Sequence, residues 1–492
     1  MIEKYYCGVI EQIYNRIGKE TRNIVMANYS NDFSIENLEV IRRYQSNEDN
    51  VFFAYSEFPY NTLVGAYEPF LDIICNMHRH FIGGSFDDFQ KECGVYYLHR
   101  QVLNSYYGTG ECFREETVLL NEVAYEQRRM TKAIVDMLKR LSEVRPLMIV
   151  INRFQMASKS SIETIKYLID NPCTNIGIVL GVNALVKGTD STVEVWDRIV
   201  ESLEDRSAIY YIGSAGQLKN NIRDTSDDEL YITTNFEQSI QEASNIMEFL
   251  DYEQAKRGCR IIEHKIKFED AWIDEKSLRR FYLIYARTSV LLGEMSKAIE
   301  LMNEYKALIP ENDSEHYFSI YYFMKGTCYM YQGKLEKAEG CAKKAYDYAL
   351  LADDELLEFK SELLSVMIKM SGWYNIFFCV QDIPVSDEFI EKIIKHGYRN
   401  HLAHIYIYAY DNSRDVVKQS FYDESLLKHF TKGLELAKKI GNEQLVYDAY
   451  QKIIMLASTN GLNEIAFLYV IRTYEFMKEH GNIYVARVLT AI

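Results

Sequence analysis

The sequence predicts an α/β parallel-sheet domain followed by an all-α superhelical solenoid, mostly helical overall. Three observations predict it. Only 6 of 492 residues are proline, where ordinary usage gives about 25, and proline breaks helix interiors. Over roughly the first 215 residues, short β-branched runs alternate with helical stretches, the pattern of βαβ units. From about Phe236 onward strand-like runs almost disappear and a 40-residue spacing takes over. The expected organisation is an α/β domain at 1–215, a polar linker at 216–235 and helical repeats at 236–492.

In the front half, Asn23–Ala27, Val51–Tyr55, Leu147–Ile151, Ile176–Leu180 and Ala208–Ile212 read as strands. The third and fourth are almost purely apolar, as strands covered on both faces should be. Helices are expected over about 35–44, 67–80, 115–144, 160–170 and 193–203. Asn171-Pro172 stops the fourth of these.

Composition bounds the function. Hydrophobic residues at 48% and charged residues at 26% are ordinary globular usage, which excludes wholesale disorder. No run approaches the ~18 apolar residues of a membrane span, and no basic n-region with an apolar stretch opens the chain. A net charge of −16 disfavours a large nucleic-acid footprint, which runs on Lys and Arg. Nine cysteines, an odd number with no C-x-x-C pair, indicate neither a disulfide framework nor a zinc knuckle. A reducing cytoplasm and no cofactor are expected. His78-Arg79-His80 reads as a cationic surface helix end. His401 and His404 share a helical face without an H-E-x-x-H pattern, which points to packing. Gly83-Gly84-Ser85 reads as a turn plus N-cap, because Asp87 and Asp88 follow.

Gly293 with Ala298 recurs as Gly333 with Ala338, 40 residues on. Gly326, Tyr329, Ala345, Ala286 and Pro310 extend the pattern. Small residues let two helices cross closely, and glycine permits the turn between them. Lys438-Lys439-Ile440-Gly441-Asn442 recurs as Lys478-Glu479-His480-Gly481-Asn482, with Gly461 at a turn midway. Gly372 and Asp411-Asn412 follow the period less closely. These positions resemble tetratricopeptide repeats (TPR), most closely over 275–350 and again over 420–482, in five to six helical hairpins.

No G-x-x-x-x-G-K-[ST] occurs. After the first strand the chain reads Asn28-Tyr29-Ser30-Asn31-Asp32-Phe33-Ser34, without glycine or lysine. Asp32 or Ser34 there reads as a helix cap. Arg145–Ile162 nevertheless resembles the Walker B segment of STAND-type, AAA-like signal-transduction ATPases of bacterial regulators, with Gln155, Ala157, Ser161 and Ile162 at matching positions. Asn183 and Ala66–Phe70 also resemble that family. The resemblance implies that Asn152 stands at the Mg²⁺-coordinating acid and Arg153 at its acidic neighbour. Two carboxylates have become an amide and a cation, so the expected domain is a degenerate NTPase fold without phosphoryl-transfer chemistry.

The expected function is therefore a non-enzymatic regulatory scaffold that binds a protein or peptide through the repeats. By helix register, Arg280, Leu283, Arg287 and Val290 face the concave side from one repeat. Ile320, Phe323, Thr327, Met330 and Tyr331 face it from the next. Alternatives are a nucleotide-binding switch, or the sensory region of a larger signalling protein with a transcription-factor or cyclase output. Self-association is open.

Overall fold

The computed structural model describes residues 2–29, 39–45, 51–59, 63–114, 116, 118–183, 193–206, 208–212, 235–268, 273–312, 314–371, 381–382, 385–410 and 424–480. They fall in two compact units, Met1–Leu308 and Ile309–Ile492. The parallel sheet ahead of a long helical array is the fold class that the sequence predicts.

Unit 1 is built on five parallel strands, β1 (Ile24–Tyr29), β2 (Phe52–Glu57), β3 (Leu147–Asn152), β4 (Ile176–Asn183) and β5 (Ile209–Ile212), in the order β2-β3-β4-β1-β5. β3 and β4 are buried along their whole length, as their apolar runs require. Helix α1 (Ile2–Arg16), additional to the expected helices, packs on β4, β1 and β5. Its stripe of Tyr6, Val9, Ile10 and Ile13 is buried. Two glycines of β4 make room for this helix. A Cβ on Gly177 would lie 2.8 Å from Ile17, and one on Gly181 would lie 2.5 Å from the Tyr6 hydroxyl.

The remaining helices of the α/β layer are α2 (Glu39–Gln45), α3 (Phe70–Met77), α4 (Phe86–Glu92), α5 (Tyr97–Thr109), α6 (Val123–Val144), α7 (Lys159–Asp170) and α8 (Val193–Glu204). Helix α6 starts later than position 115, because the N–H of Cys112 is taken by Asn245 Oδ1 at 2.9 Å and the chain there runs along another helix. α4 and α5 are additional to the expected helices. Ser85 caps α4 at Asp88 N, as Gly-Gly-Ser suggests. His78 differs from expectation. It lies in a π turn (His78–Ile82), fully buried against Phe86, Phe89 and Tyr107, because that aromatic cluster takes up its ring.

Two hairpins complete unit 1, α9 (Phe236–Glu248) with α10 (Tyr252–Phe268) and α11 (Glu275–Leu291) with α12 (Met295–Ala307). Unit 2 holds α13 (Ser314–Tyr331), α14 (Leu335–Leu351), α15 (Glu355–Ser371), α16 (Asp387–Lys395), α17 (Arg399–Tyr408), α18 (Glu424–Ile440), α19 (Glu443–Thr459) and α20 (Asn463–His480). Gly293 and Gly333 turn their hairpins at φ +80° and +71°, a region that only glycine enters without strain. Ala338, Ala342, Ala345 and Ala349 are fully buried on α14, where α13 crosses. His401 and His404 are buried, as a packing role requires.

The 40-residue period is also physical. Side chains one repeat apart bind each other within each unit: Ser277 to Glu237 at 3.5 Å, Arg287 to Glu248 at 3.0 Å, His316 to Asp354 at 3.0 Å and Tyr408 to Asp448 at 2.6 Å. Lys395 pairs with Glu355 in the same way. The expected cap at Asp32 or Ser34, most of the 216–235 linker, Gly372, Asp411-Asn412 and the segment after His480 lie outside the described residues. Among the described residues no helix is long and apolar enough to cross a membrane, and the eight described cysteines are free thiols.

Candidate functional site

Open α/β sheets bind ligands outside the carboxyl ends of their strands, and Asn152 and Arg153 lie there. Asn152 ends β3 and is fully buried. Its Oδ1 accepts the hydroxyl of Tyr29, the last residue of β1. Tyr6 closes over this pair from α1, its ring edge-on to that of Tyr29 at 6.3 Å. Burial first, then the neighbouring Tyr29, Tyr55 and Glu57, holds the Tyr6 hydroxyl far above its ordinary range, so it stays neutral.

Arg153 adopts left-handed backbone (φ 54°, ψ 39°), which costs an L-residue about 1–2 kcal/mol. That geometry carries its guanidinium to Glu57 at 3.1 Å. The Tyr55 hydroxyl donates to the other carboxylate oxygen of Glu57 at 2.5 Å. Two residues on, Gln155 brackets β4: its Nε2 donates to Asn183 O at 3.2 Å and its Oε1 accepts Asn183 N at 3.3 Å.

These residues do not fit a catalytic Mg²⁺. A hard divalent ion takes carboxylate oxygens. Here the Asn152 side chain, which the family resemblance sets at the metal-coordinating acid, offers an amide oxygen that already accepts a hydroxyl, and the nearby Glu57 carboxylate is ion-paired. Among the described residues no three His, Cys, Asp or Glu side chains group to hold a metal. Residues 30–38, which follow β1, lie outside the described residues.

A second cluster joins the first hairpin to the α/β layer. Asp251, in the turn between α9 and α10, is 3% exposed. Its carboxylate accepts Ser160 N of α7 at 2.9 Å and Gln254 N of α10 at 3.4 Å, so one anion caps two helix N-termini. Ser160 Oγ in turn accepts Tyr67 N at 2.9 Å. Arg114 donates to Glu248 O, Gln127 to Leu250 O, and Asn245 to Gly110 O. Beside them lies a buried triad: His99 Nε2 is 2.7 Å from Glu126, and Glu126 is 3.2 Å from Arg129. The Arg129 guanidinium lies 3.6 Å from the centroid of the Tyr96 ring.

Glu68, near this junction, has its carboxyl pushed up to about 7, chiefly by burial, with Asp72 and Glu242 adding to the rise. A carboxyl raised on folding stabilises the fold below its unfolded value and loses that contribution as pH rises through about 7. Stability should therefore fall between pH 5 and 8 by up to roughly 3 kcal/mol from this group. Denaturant titrations of Glu68→Gln should show the slope reduced.

The expected partner-contact residues fall in separate units. On α11, Arg280 is exposed and bonds Gln241, Arg287 pairs with Glu248, Leu283 is half-buried and Val290 is buried. On α13, Ile320, Phe323 and Tyr331 are half-buried, Thr327 donates to Phe323 O at 3.0 Å, and Met330 is buried. Arg280 and Arg287 thus tie α11 to α9. At the amino ends of β1 and β5 a cavity of about 280 Å³ is bordered by Arg16, Arg22 and Arg206. Two of these already serve local roles: Arg206 donates to Ile169 O at the end of α7, and Arg16 faces Glu20 at 3.6 Å.

No family model and no curated protein matches this sequence. Among solved structures, the chain is similar to a Signal Transduction ATPase with Numerous Domains (STAND) protein with a tetratricopeptide repeat sensor from Pyrococcus horikoshii. The two are 14% identical, with 95% of this chain and 82% of that chain covered and a TM-score of 0.39.

Proposed function

We propose that this protein is a non-enzymatic regulatory scaffold of the signal-transduction or transcription-regulator type. The α/β domain serves as a platform without phosphoryl-transfer chemistry, and the helical repeats bind a protein or peptide partner. The observation that carries this reading is the strand-end cluster. The two positions that the family resemblance assigns to acids are an amide bound to Tyr29 and a cation bound to Glu57. Electrostatic stabilisation of a transferring phosphoryl group needs a metal and its carboxylates. The residues proposed to contact the partner are Arg280 and Leu283 with Arg287 and Val290 in unit 1, and Phe323 and Tyr331 with Thr327 and Met330 in unit 2.

Purified protein with Mg²⁺ and ATP or GTP should show no hydrolysis above a buffer control and no nucleotide-dependent shift of the melting temperature. Hydrolysis would overturn the reading. A melting shift without hydrolysis would instead favour a nucleotide-binding switch. Leu283→Glu and Phe323→Glu, each folded by circular dichroism, should lose cross-links to the partner in cells. Unchanged cross-links would remove the repeats from that role.

A further inference from the structure

Beside the docked hairpin, charged side chains from six segments converge in a largely buried site, with the half-buried Arg287 at its rim. They are His99 on α5, Arg114 and Glu116 on the following loop, and Glu122 just ahead of α6. Glu126 and Arg129 lie on α6, Glu248 on α9 and Arg287 on α11. His99 and Glu116 are 0% exposed, Glu122 2%, Glu126 3%, and Arg114 and Glu248 7% each. Hydroxyls of Tyr96, Tyr97, Tyr125 and Tyr252 face the same cluster, and Tyr97 donates to Glu116. Asp251 stands nearby, already balanced by the two helix N-termini that it caps.

The charges almost cancel. Four carboxylates meet three guanidiniums, so the group is neutral only when His99 and Glu126, 2.7 Å apart, hold one proton between them. We propose that this cluster is a proton switch that sets how tightly the α9–α10 hairpin is held on the α/β layer. With the shared proton in place the site is neutral and closed. Without it a net negative charge remains where water is excluded, and the bonds through Arg114 and Glu248 loosen. The switch stands whether or not the repeats bind a partner.

The direction follows from the environment. Burial pushes the Glu126 carboxyl up to about 7 against the pull of Arg129 and Arg114. Burial, then Arg114 and Arg129, holds His99 well below its ordinary range. The pair therefore keeps its proton below about pH 7 and loses it above, so the hairpin loosens as pH rises. A switch run by His99 alone would loosen as pH falls.

Hydrogen exchange of the full chain, corrected for intrinsic rates, tests this. Protection of peptides within 236–257 should fall about tenfold or more between pH 6 and pH 8. Glu68 and Glu242 also carry raised carboxyls, so the comparison is made in a Glu68→Gln/Glu242→Gln background, where adding Glu126→Gln, neutral at every pH, should hold that protection constant. A flat profile in that background, or the same step after Glu126→Gln is added, would overturn the proposal. Infrared spectroscopy of the Glu68→Gln/Glu242→Gln variant, which removes the other raised carboxyls among the described residues, gives a second readout. A buried carboxylic-acid band should be present at pH 6 and gone at pH 8. Its absence at pH 6 would also overturn the proposal, even if Glu126→Gln fails to fold.

Discussion

Gly181→Val is expected to abolish cooperative folding of unit 1, and Gly181→Ala to cost at least about 2–3 kcal/mol. The Cβ of either variant would lie 2.5 Å from Tyr6 Oη, 2.9 Å from Asn152 Oδ1 and 3.4 Å from Asn152 Cα. The first contact drives α1 off the sheet. The second attacks the amide that accepts the Tyr29 hydroxyl. The third is close contact with the backbone of the neighbouring strand, which leaves the new methyl no room to shift toward it. Relief therefore demands movement of both the helix and the strand-end cluster. Gly340 provides the control. It lies on the exposed face of α14 with nothing within 4 Å of an added Cβ, so Gly340→Ala should stabilise by about 0.5–1 kcal/mol. Chemical denaturation of the three variants separates close packing from glycine entropy.

Asp251→Ala is expected to cost about 3 kcal/mol. Each lost cap is worth about 1 kcal/mol, and burying an N–H without its acceptor costs a further 1–3 kcal/mol. The loss should appear in two places at once, because Ser160 N belongs to α7 and Gln254 N to α10. Hydrogen exchange should thus report joint deprotection of both helix starts. Deprotection of α10 alone would mean that the α7 contact contributes nothing. Asp251→Asn should fall between wild type and alanine, since its side-chain oxygen still accepts one bond while the charge that suits two helix N-termini is gone.

Much of the architecture was legible. β3 and β4 announce themselves as unbroken apolar runs, and the Gly293 and Gly333 turns by their spacing. Asn152 and Arg153 were locatable because the apolar strand before them ends sharply. Helix α1 was readable in principle, since Tyr6, Val9, Ile10, Ile13 and Ile17 recur every three or four residues. Asp251 was not. It is an ordinary capping residue by local sequence, and its second bond is to a backbone N–H 91 positions away. The His99–Glu126–Arg129 triad was hidden for the same reason: its members gain meaning only when α5 packs on α6. Arg280 and Arg287 sit at helical positions that sequence can assign to a face. Only the packing reveals that their partners are on α9.

The two kinds of pairing in this chain also set two clocks. The ladder side chains bind partners about 40 residues away, whereas β1 pairs with β4 through contacts such as Ile24 with Ile178. Loop-closure cost grows with separation and slows folding. At roughly 5–20 residues per second of synthesis, β1 is made about 8–30 seconds before its neighbour β4 exists. A repeat needs only its adjacent hairpin. The front of the molecule, though translated first, should thus be slow to complete its sheet, with the amphipathic α1 awaiting the strands that it covers.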